Sequence, residues 1–140
     1  RILRPRASAN RKGGRMAASR AFRDHVADLL SGFGPVAIRP MFGGAGVYRE
    51  GVMFALIAYD TLYFKVDDAT RGDYERAGLG PFTYEGNDAP VTMSYFQAPP
   101  EAMEDGELLI GCARKAFAAA LRARAAKRRP RAERGTPPAR

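Results

Sequence analysis

Apolar residues near the start of the chain recur every three or four positions. They are Phe22, Val26, Leu29, Leu30 and Phe33. This spacing is typical of one face of an amphipathic helix and predicts a helix over about 17–33. Gly34 and Pro35 then predict its end, because glycine leaves the helical conformation easily and proline cannot continue it.

Short apolar runs separated by turn residues make up the middle of the chain. Strands are predicted at 36–39, 45–49, 52–58 and 62–66, a short helix at 69–77, and a hairpin from 82–84 and 91–97. Glu50-Gly51 and Tyr59-Asp60 are the tight turns between neighbouring strands. This close spacing predicts a meander of antiparallel strands.

The last apolar stripe belongs to a long final helix. Pro99-Pro100 ends the sheet, and Asp105 is predicted to cap the helix. The stripe consists of Leu109, Cys112, Ala113, Ala116, Phe117, Ala120 and Leu121. Beyond Leu121 the sequence turns to Arg, Lys and Ala, and we expect the helix to fray before Pro130.

The strand predicted at Val52–Ala58 is apolar at every position. A strand with one solvent-exposed face should alternate between apolar and polar residues. This strand does not alternate, so both of its faces must be buried. The predicted helices can cover one face, and a symmetric homodimer is the simplest cover for the other. Strict alternation assigns to that dimer or sheet face Met53, Ala55, Ile57, Tyr63 and Lys65.

The glycines of Gly43-Gly44-Ala45-Gly46 precede this strand. A phosphate loop would end in Gly-Lys-Ser/Thr and open a helix, and a dinucleotide fingerprint needs a third glycine and a βαβ crossover; neither is present. We therefore interpret the cluster as a bend between strands. A basic residue beside it leaves an anion site as the alternative. The candidate interaction or anion corner is Arg39, Met41, Phe42, Gly43, Gly44, Gly46 and Tyr48.

The net charge of +8 resides in the two ends of the chain. Residues 1–16 hold six basic residues, 122–140 hold eight and one acid, and 17–121 hold nine basic and fourteen acidic residues. We expect 1–16 and 126–140 to be disordered basic segments around a domain at 17–125.

Because Met16 precedes the first helix, we expect part or all of 1–15 not to be native. Nonspecific nucleic-acid binding is predicted for Arg124, Lys127, Arg128 and Arg129.

Residues with catalytic chemistry are few. His25 is the single histidine, and Cys112, the single cysteine, lies within an apolar stripe. The pairs Asp67-Asp68 and Glu104-Asp105 stand at predicted helix starts, where capping explains them. We therefore predict no enzyme, no metal and no cofactor. One cysteine forms no internal disulfide, which favours the cytoplasm, and no apolar run is long enough to span a membrane.

Three blocks resemble the N-terminal domain of the TfoX/Sxy family: Met41–Tyr48, Gly51–Ile57 and Leu62–Asp67. Met93-Ser94-Tyr95, followed by Pro99, is also similar. The resemblance covers about 17–125 and implies a two-layer α+β fold, like that of secretion chaperones, which are often dimers. Full-length members regulate natural competence together with the cyclic-AMP receptor protein at promoters, and they carry a second, C-terminal domain.

The resemblance implies a stand-alone N-terminal domain, because only a basic tail follows it here. The leading expectation is a non-enzymatic regulatory or protein-interaction module that forms a homodimer and binds a protein partner of unknown identity. One alternative is nucleic-acid association through the basic tails. The other is a small-molecule or anion sensor at the glycine corner.

Overall fold

The computed structural model describes residues 17–41, 43–85 and 88–128. The helices in this part of the chain are α1 (Arg20–Leu29), α2 (Arg71–Arg76) and α3 (Gly106–Arg128), with 3-10 turns at Ser31–Phe33 and Pro100–Glu104. The strands are β1 (Ala37–Met41), β2 (Gly44–Arg49), β3 (Val52–Ala58), β4 (Thr61–Lys65), β5 (Pro81–Glu85) and β6 (Pro90–Gln97).

The six strands form one antiparallel sheet in the order β1-β2-β3-β4-β6-β5. The first four strands follow the predicted meander. The chain then passes through α2 to the far edge, runs along it as β5, and returns as β6 beside β4. The predicted α+β class is confirmed: α1, α2 and α3 contribute to one core on a single face of the sheet.

The start of α1 is fastened to the turn between β3 and β4. The Ser19 hydroxyl accepts a hydrogen bond from the Phe22 amide at 3.1 Å and so caps the helix. The Ser19 amide donates to the Asp60 carboxylate at 2.7 Å. Tyr59 and Asp60 both adopt positive φ, 57° and 51°, which is the conformation that a tight hairpin turn requires. The helix is shorter than predicted, because the apolar residues at its end continue as a 3-10 turn.

An irregularity in β3 decides which residues face the helices. Val47 of β2 pairs with Ala55, whereas the next residue, Tyr48, pairs with Met53. Phe54 is therefore an extra residue, a β-bulge, and its side chain joins that of Ala55 on the helix face. Phe54 is fully buried.

Phe54 stands at the centre of an aromatic cluster. Its ring centroid lies 5.4 Å from Phe33 and 6.0 Å from Phe117, and the latter two are 6.1 Å apart, all in edge-to-face geometry. The Arg49 guanidinium covers this cluster, 4.4 Å from the Phe33 ring centroid and 5.2 Å from that of Phe117. One cation thus joins β2, the 3-10 turn after α1, and α3.

The far end of α3 is attached to the loop that follows β4. Arg122 donates two hydrogen bonds to the Asp67 carboxylate, at 2.6 and 3.2 Å. Asp67 also accepts from the Ala69 amide at 3.1 Å and the Thr70 hydroxyl at 3.3 Å, so it organises the turn into α2 as well. The hydrogen bond from Arg122 is the main reason that the pKa of Asp67 is lowered.

We expect Asp67→Asn to destabilise the protein at neutral pH and to have little effect in acid. A carboxylate whose pKa is lower in the folded state stabilises the fold above its unfolded pKa, and the contribution disappears as the pH falls through the folded pKa. Urea unfolding at about pH 7 and about pH 3 should show the difference between the two proteins shrinking. Asp68→Asn, which removes a fully exposed carboxylate beside it, is the control. An equal loss at both pH values would contradict this role.

Candidate interaction surface on the open face of the sheet

The face of the sheet opposite the helices, called the open face here, is rich in tyrosine and methionine. Cross-strand pairing places Gly46, Leu56 and Tyr63 side by side on neighbouring strands, which determines the residues that share this face. The open face comprises Arg39, Met41, Gly44, Gly46, Tyr48, Met53, Leu56, Ala58, Tyr63, Lys65, Phe82, Tyr84, Met93 and Tyr95. Within the described residues, this set has two cations and no carboxylate.

Part of the open face is buried by its own long side chains. Leu56 and Ala58 are 1% and 2% exposed, although α1, α2 and α3 all pack on the other face. The Tyr63 ring meets Phe82 edge-on at 5.2 Å, and Phe82 stacks on Tyr84 at 5.9 Å. The outer layer stays half-exposed and consists of Met41, Met53, Tyr63, Tyr84 and Met93. An apolar layer of this kind is available to a partner.

The glycine cluster forms a strand connection and the first half of β2. Gly43 adopts φ 85° in the turn between β1 and β2, where a side chain would be strained. Gly44 and Gly46 lie in β2 and are buried. A strand follows the glycines, so the helix N-terminus of a phosphate loop is missing at this position. Phe42 lies outside the described residues.

Gly46 is covered by two neighbouring side chains. A Cβ atom at this position would lie 3.0 Å from the Met53 sulfur and 3.0 Å from the Tyr48 ring. The Arg39 guanidinium lies 5.3 Å from the centroid of the Tyr48 ring. One packed unit therefore extends across β1, β2 and β3, formed by Arg39, Tyr48, Gly46 and Met53. Because Gly46 has no side chain, the Tyr48 and Met53 side chains can lie directly against its backbone.

Lys65 is the second cation of the open face, and it has contacts of its own. Its ammonium group donates to the Ser94 hydroxyl at 2.7 Å and lies 5.3 Å from the Tyr95 ring centroid. Burial is the main cause of its lowered pKa, and the charge of Lys127 acts in the same direction. Burial likewise raises the pKa of Tyr95 to about 12, so this phenol stays neutral at physiological pH.

The five residues predicted to share one sheet face do not share it. Met53, Tyr63 and Lys65 lie on the open face, whereas Ala55 and Ile57 belong to the core under the helices. The cause is the bulge at Phe54, because one extra residue inverts the alternation for the rest of β3. The contribution of β5 and β6 to the open face was not predicted from the sequence. The signal was the alternation of Met93 and Tyr95 and of Phe82 and Tyr84.

The chain was compared with families of known proteins. The model of the TfoX N-terminal domain matches residues 28–120 of the 140. The chain belongs to the TfoX N-terminal domain family. A search of curated proteins returns no significant match. The TfoX N-terminal domain thus contains the whole sheet, and the open face with it, as well as the packed part of α3.

The basic end of α3 lies beyond the residues that match the TfoX N-terminal domain. Arg124, Lys127 and Arg128 are exposed in its last turns, and the helix stays regular as far as Arg128. Arg129, the fourth residue of the predicted nucleic-acid site, lies outside the described residues. Lys127 is near enough to Lys65 for its charge to contribute to the lowered pKa of that lysine.

Side chains with catalytic potential have structural contacts in this TfoX N-terminal domain. His25 lies 3.1 Å from the carbonyl oxygen of Met103, which ties α1 to the second 3-10 turn. Cys112 is half-buried in α3, and burial raises the pKa of its thiol. Among the described residues, no three His, Cys, Asp or Glu side chains are grouped to hold a metal ion. In the same ranges, no helix has the length and apolar character to cross a membrane.

We expect Gly46→Ala to destabilise the protein by about 1 kcal/mol, because the new methyl group must displace the Met53 and Tyr48 side chains. Urea unfolding measures the effect. The control is Gly80→Ala, where an added Cβ meets nothing within 4 Å. In a Met53→Ala background the destabilisation caused by Gly46→Ala should be smaller, because one of the two crowding side chains is shortened. A Gly46→Ala protein as stable as the Gly80→Ala protein would show that the site is loosely packed.

Proposed function

We propose that the chain is a non-enzymatic regulatory module that works by binding protein at the open face and that forms a homodimer through this face. Membership of the TfoX N-terminal domain family supports a regulatory module. The observation that carries the rest is the half-exposed layer of methionine and tyrosine on a sheet face that α1, α2 and α3 leave uncovered.

The composition of the open face favours a protein partner. Methionine and tyrosine are enriched at protein interfaces. Tyrosine buries a large area at low cost in conformational entropy, and methionine adapts its shape to the partner surface. Leu56 and Ala58 already form a dry floor beneath them, so a partner would meet an ordered layer. These features support an interface with a packed apolar centre.

A second copy of the chain is a suitable partner because the charges of the open face have contacts within one protomer. Arg39 lies over Tyr48, and Lys65 is bound by Ser94 and lies over Tyr95. Neither cation needs a carboxylate from the partner. A two-fold interface uses the same patch twice, and each apolar layer would then cover the other.

The same contacts weaken the anion-sensor alternative at the glycine corner. The Arg39 guanidinium is engaged by the Tyr48 ring, and the space above Gly46 is filled by Met53 and Tyr48. An anion would have to separate these groups before it could bind. The free energy gained by anion binding would then be offset by the packing that is lost.

Nonspecific nucleic-acid binding is a second candidate function, favoured by the end of α3. The helix holds Arg124, Lys127 and Arg128 exposed beyond the core, and it stays regular there. Arg122 pairs with Asp67, and these three cations lie farther along the helix than that pair. Cations on a regular helix lose less conformational entropy when they bind phosphates than cations on a flexible segment do.

For the homodimer, we expect Met53→Lys to weaken self-association about tenfold or more, because the new cation would be buried without a partner. Sedimentation equilibrium of the full chain over a concentration series measures the dissociation constant. The matched control is Leu121→Lys, which places the same charge at an exposed apolar residue of α3. A monomer at micromolar concentration, or an equal effect of the control, would refute dimerisation through the open face.

For nucleic acid, we expect the triple variant Arg124→Gln, Lys127→Gln and Arg128→Gln to bind a DNA duplex of arbitrary sequence more weakly. The slope of log affinity against log salt should also decrease, by about 0.9 for each phosphate contact removed. Fluorescence anisotropy at several salt concentrations measures both quantities. The variant Arg20→Gln, Arg76→Gln and Arg114→Gln removes equal charge from exposed sites elsewhere. Equal loss in the two variants would indicate that net charge, and not the end of α3, governs binding.

A further inference from the structure

A cleft of about 260 Å³ lies between α2 and α3, on the helix side of the sheet. Its apolar wall includes Leu79 after α2 and Leu108 on α3, and Leu108 is 42% exposed. The charged residues that border it, Asp73, Glu107 and Lys115, are all exposed. The cleft is therefore apolar within and charged at its rim, and it lies on the side of the sheet opposite the open face.

Gly111 lies in the second turn of α3 without a packing reason. Glycine in a helix interior costs stability relative to alanine, and a close neighbour usually explains it. Gly32, in the 3-10 turn after α1, has such a neighbour, because a Cβ there would lie 3.0 Å from the Ile110 side chain. A Cβ at Gly111 would meet nothing within 4 Å. The space above Gly111 is part of the cleft, so the physical effect of this glycine is to keep the cleft open.

The Tyr74 hydroxyl is the second feature without a structural explanation. Tyr74 lines the cleft and is 9% exposed, and its hydroxyl has no hydrogen bond with any residue in the described ranges. A buried polar group without a partner is costly. Burial raises the pKa of Tyr74, and also that of Cys112 beside it, so both groups remain neutral. The interior of the cleft thus offers neutral hydrogen-bonding groups.

We propose that the cleft between α2 and α3 binds a small, uncharged, mainly apolar organic molecule, one polar group of which hydrogen-bonds to the Tyr74 hydroxyl. The volume fits a molecule of one ring with a short substituent, because the pockets that hold drug-sized ligands are larger, about 300–1,000 Å³. The negative charges of Asp73 and Glu107 at the rim disfavour an anion. This site is independent of the open face and of the proposed function.

The probe is acetophenone, which has a single ring and a carbonyl group that can accept from Tyr74. The comparison compound is α-methylstyrene, which has nearly the same shape without the oxygen, and benzoate tests for anion preference. Titration of the full chain by NMR should show saturable amide shifts at Leu79 and Gly111 for acetophenone in the millimolar range or below. Bound acetophenone should also slow the alkylation of Cys112 by iodoacetamide. α-Methylstyrene and benzoate should bind more weakly.

Two variants separate ligand binding from folding. Gly111→Leu places a good helix former in open space, so it should raise the melting temperature while it weakens acetophenone binding about tenfold or more. Tyr74→Phe keeps the ring and removes the hydroxyl, so it should abolish the preference for acetophenone over α-methylstyrene. Ala125→Leu, an exposed position farther along α3, is the control and should leave binding unchanged.

Three results would overturn the proposal: no saturable shifts with acetophenone, equal affinity in the Gly111→Leu protein, or tighter binding of benzoate than of acetophenone. If Gly111→Leu fails to fold, the Tyr74→Phe comparison and the protection of Cys112 still decide the outcome. Failure here leaves homodimerisation untouched, because that is measured with a different variant on the other face of the sheet.

Discussion

The bulge at Phe54 is the constraint on which the two-sided character of the sheet depends. It turns two consecutive side chains, Phe54 and Ala55, toward the helices. Phe54 then fills the space between the 3-10 turn at Phe33 and the long helix at Phe117. The same extra residue sends Leu56 and Ala58 to the open face. One irregularity in the register therefore supplies the centre of the core and the floor of the candidate interface.

The two faces bury their apolar groups by different means. On the helix side, α3 lies over β3 and β4, and the Arg49 guanidinium covers the aromatic cluster where solvent would otherwise reach it. On the open side, tyrosine and methionine side chains fold over a floor of smaller residues and stay half-exposed themselves. On the helix side, the buried core is covered by elements of the same chain. The open side has an ordered outer layer that can bury more area only against another molecule.

The helix side also holds two features that lie apart from the candidate interface. The cleft at Gly111 lies between α2 and α3, and the Asp67–Arg122 pair fastens the same two helices to the end of β4. Lys65 on the open face is the last residue of β4, and the charge of Lys127 on α3 adds to the effect of burial in lowering the pKa of this lysine. The loop after β4 is therefore the place where the end of α3 is attached, next to the last residue of β4 on the open face.

Local patterns in the sequence were enough to predict the helices and strands. Only the tertiary structure decided which face of the sheet each side chain occupies. Helical spacing, the turns at Glu50-Gly51 and Tyr59-Asp60, and the strand after the glycines depend on residues close in sequence, so all could be predicted. The register between β2 and β3, the position of Arg49 over two rings, and the pair of Asp67 with Arg122 depend on contacts between distant segments. A single inserted residue moves Ala55 and Ile57 from one face to the other without changing the apolar pattern. For that reason the sequence determined that Val52–Ala58 must be buried on both faces. The fold decided which of its side chains face the helices and which face the open side.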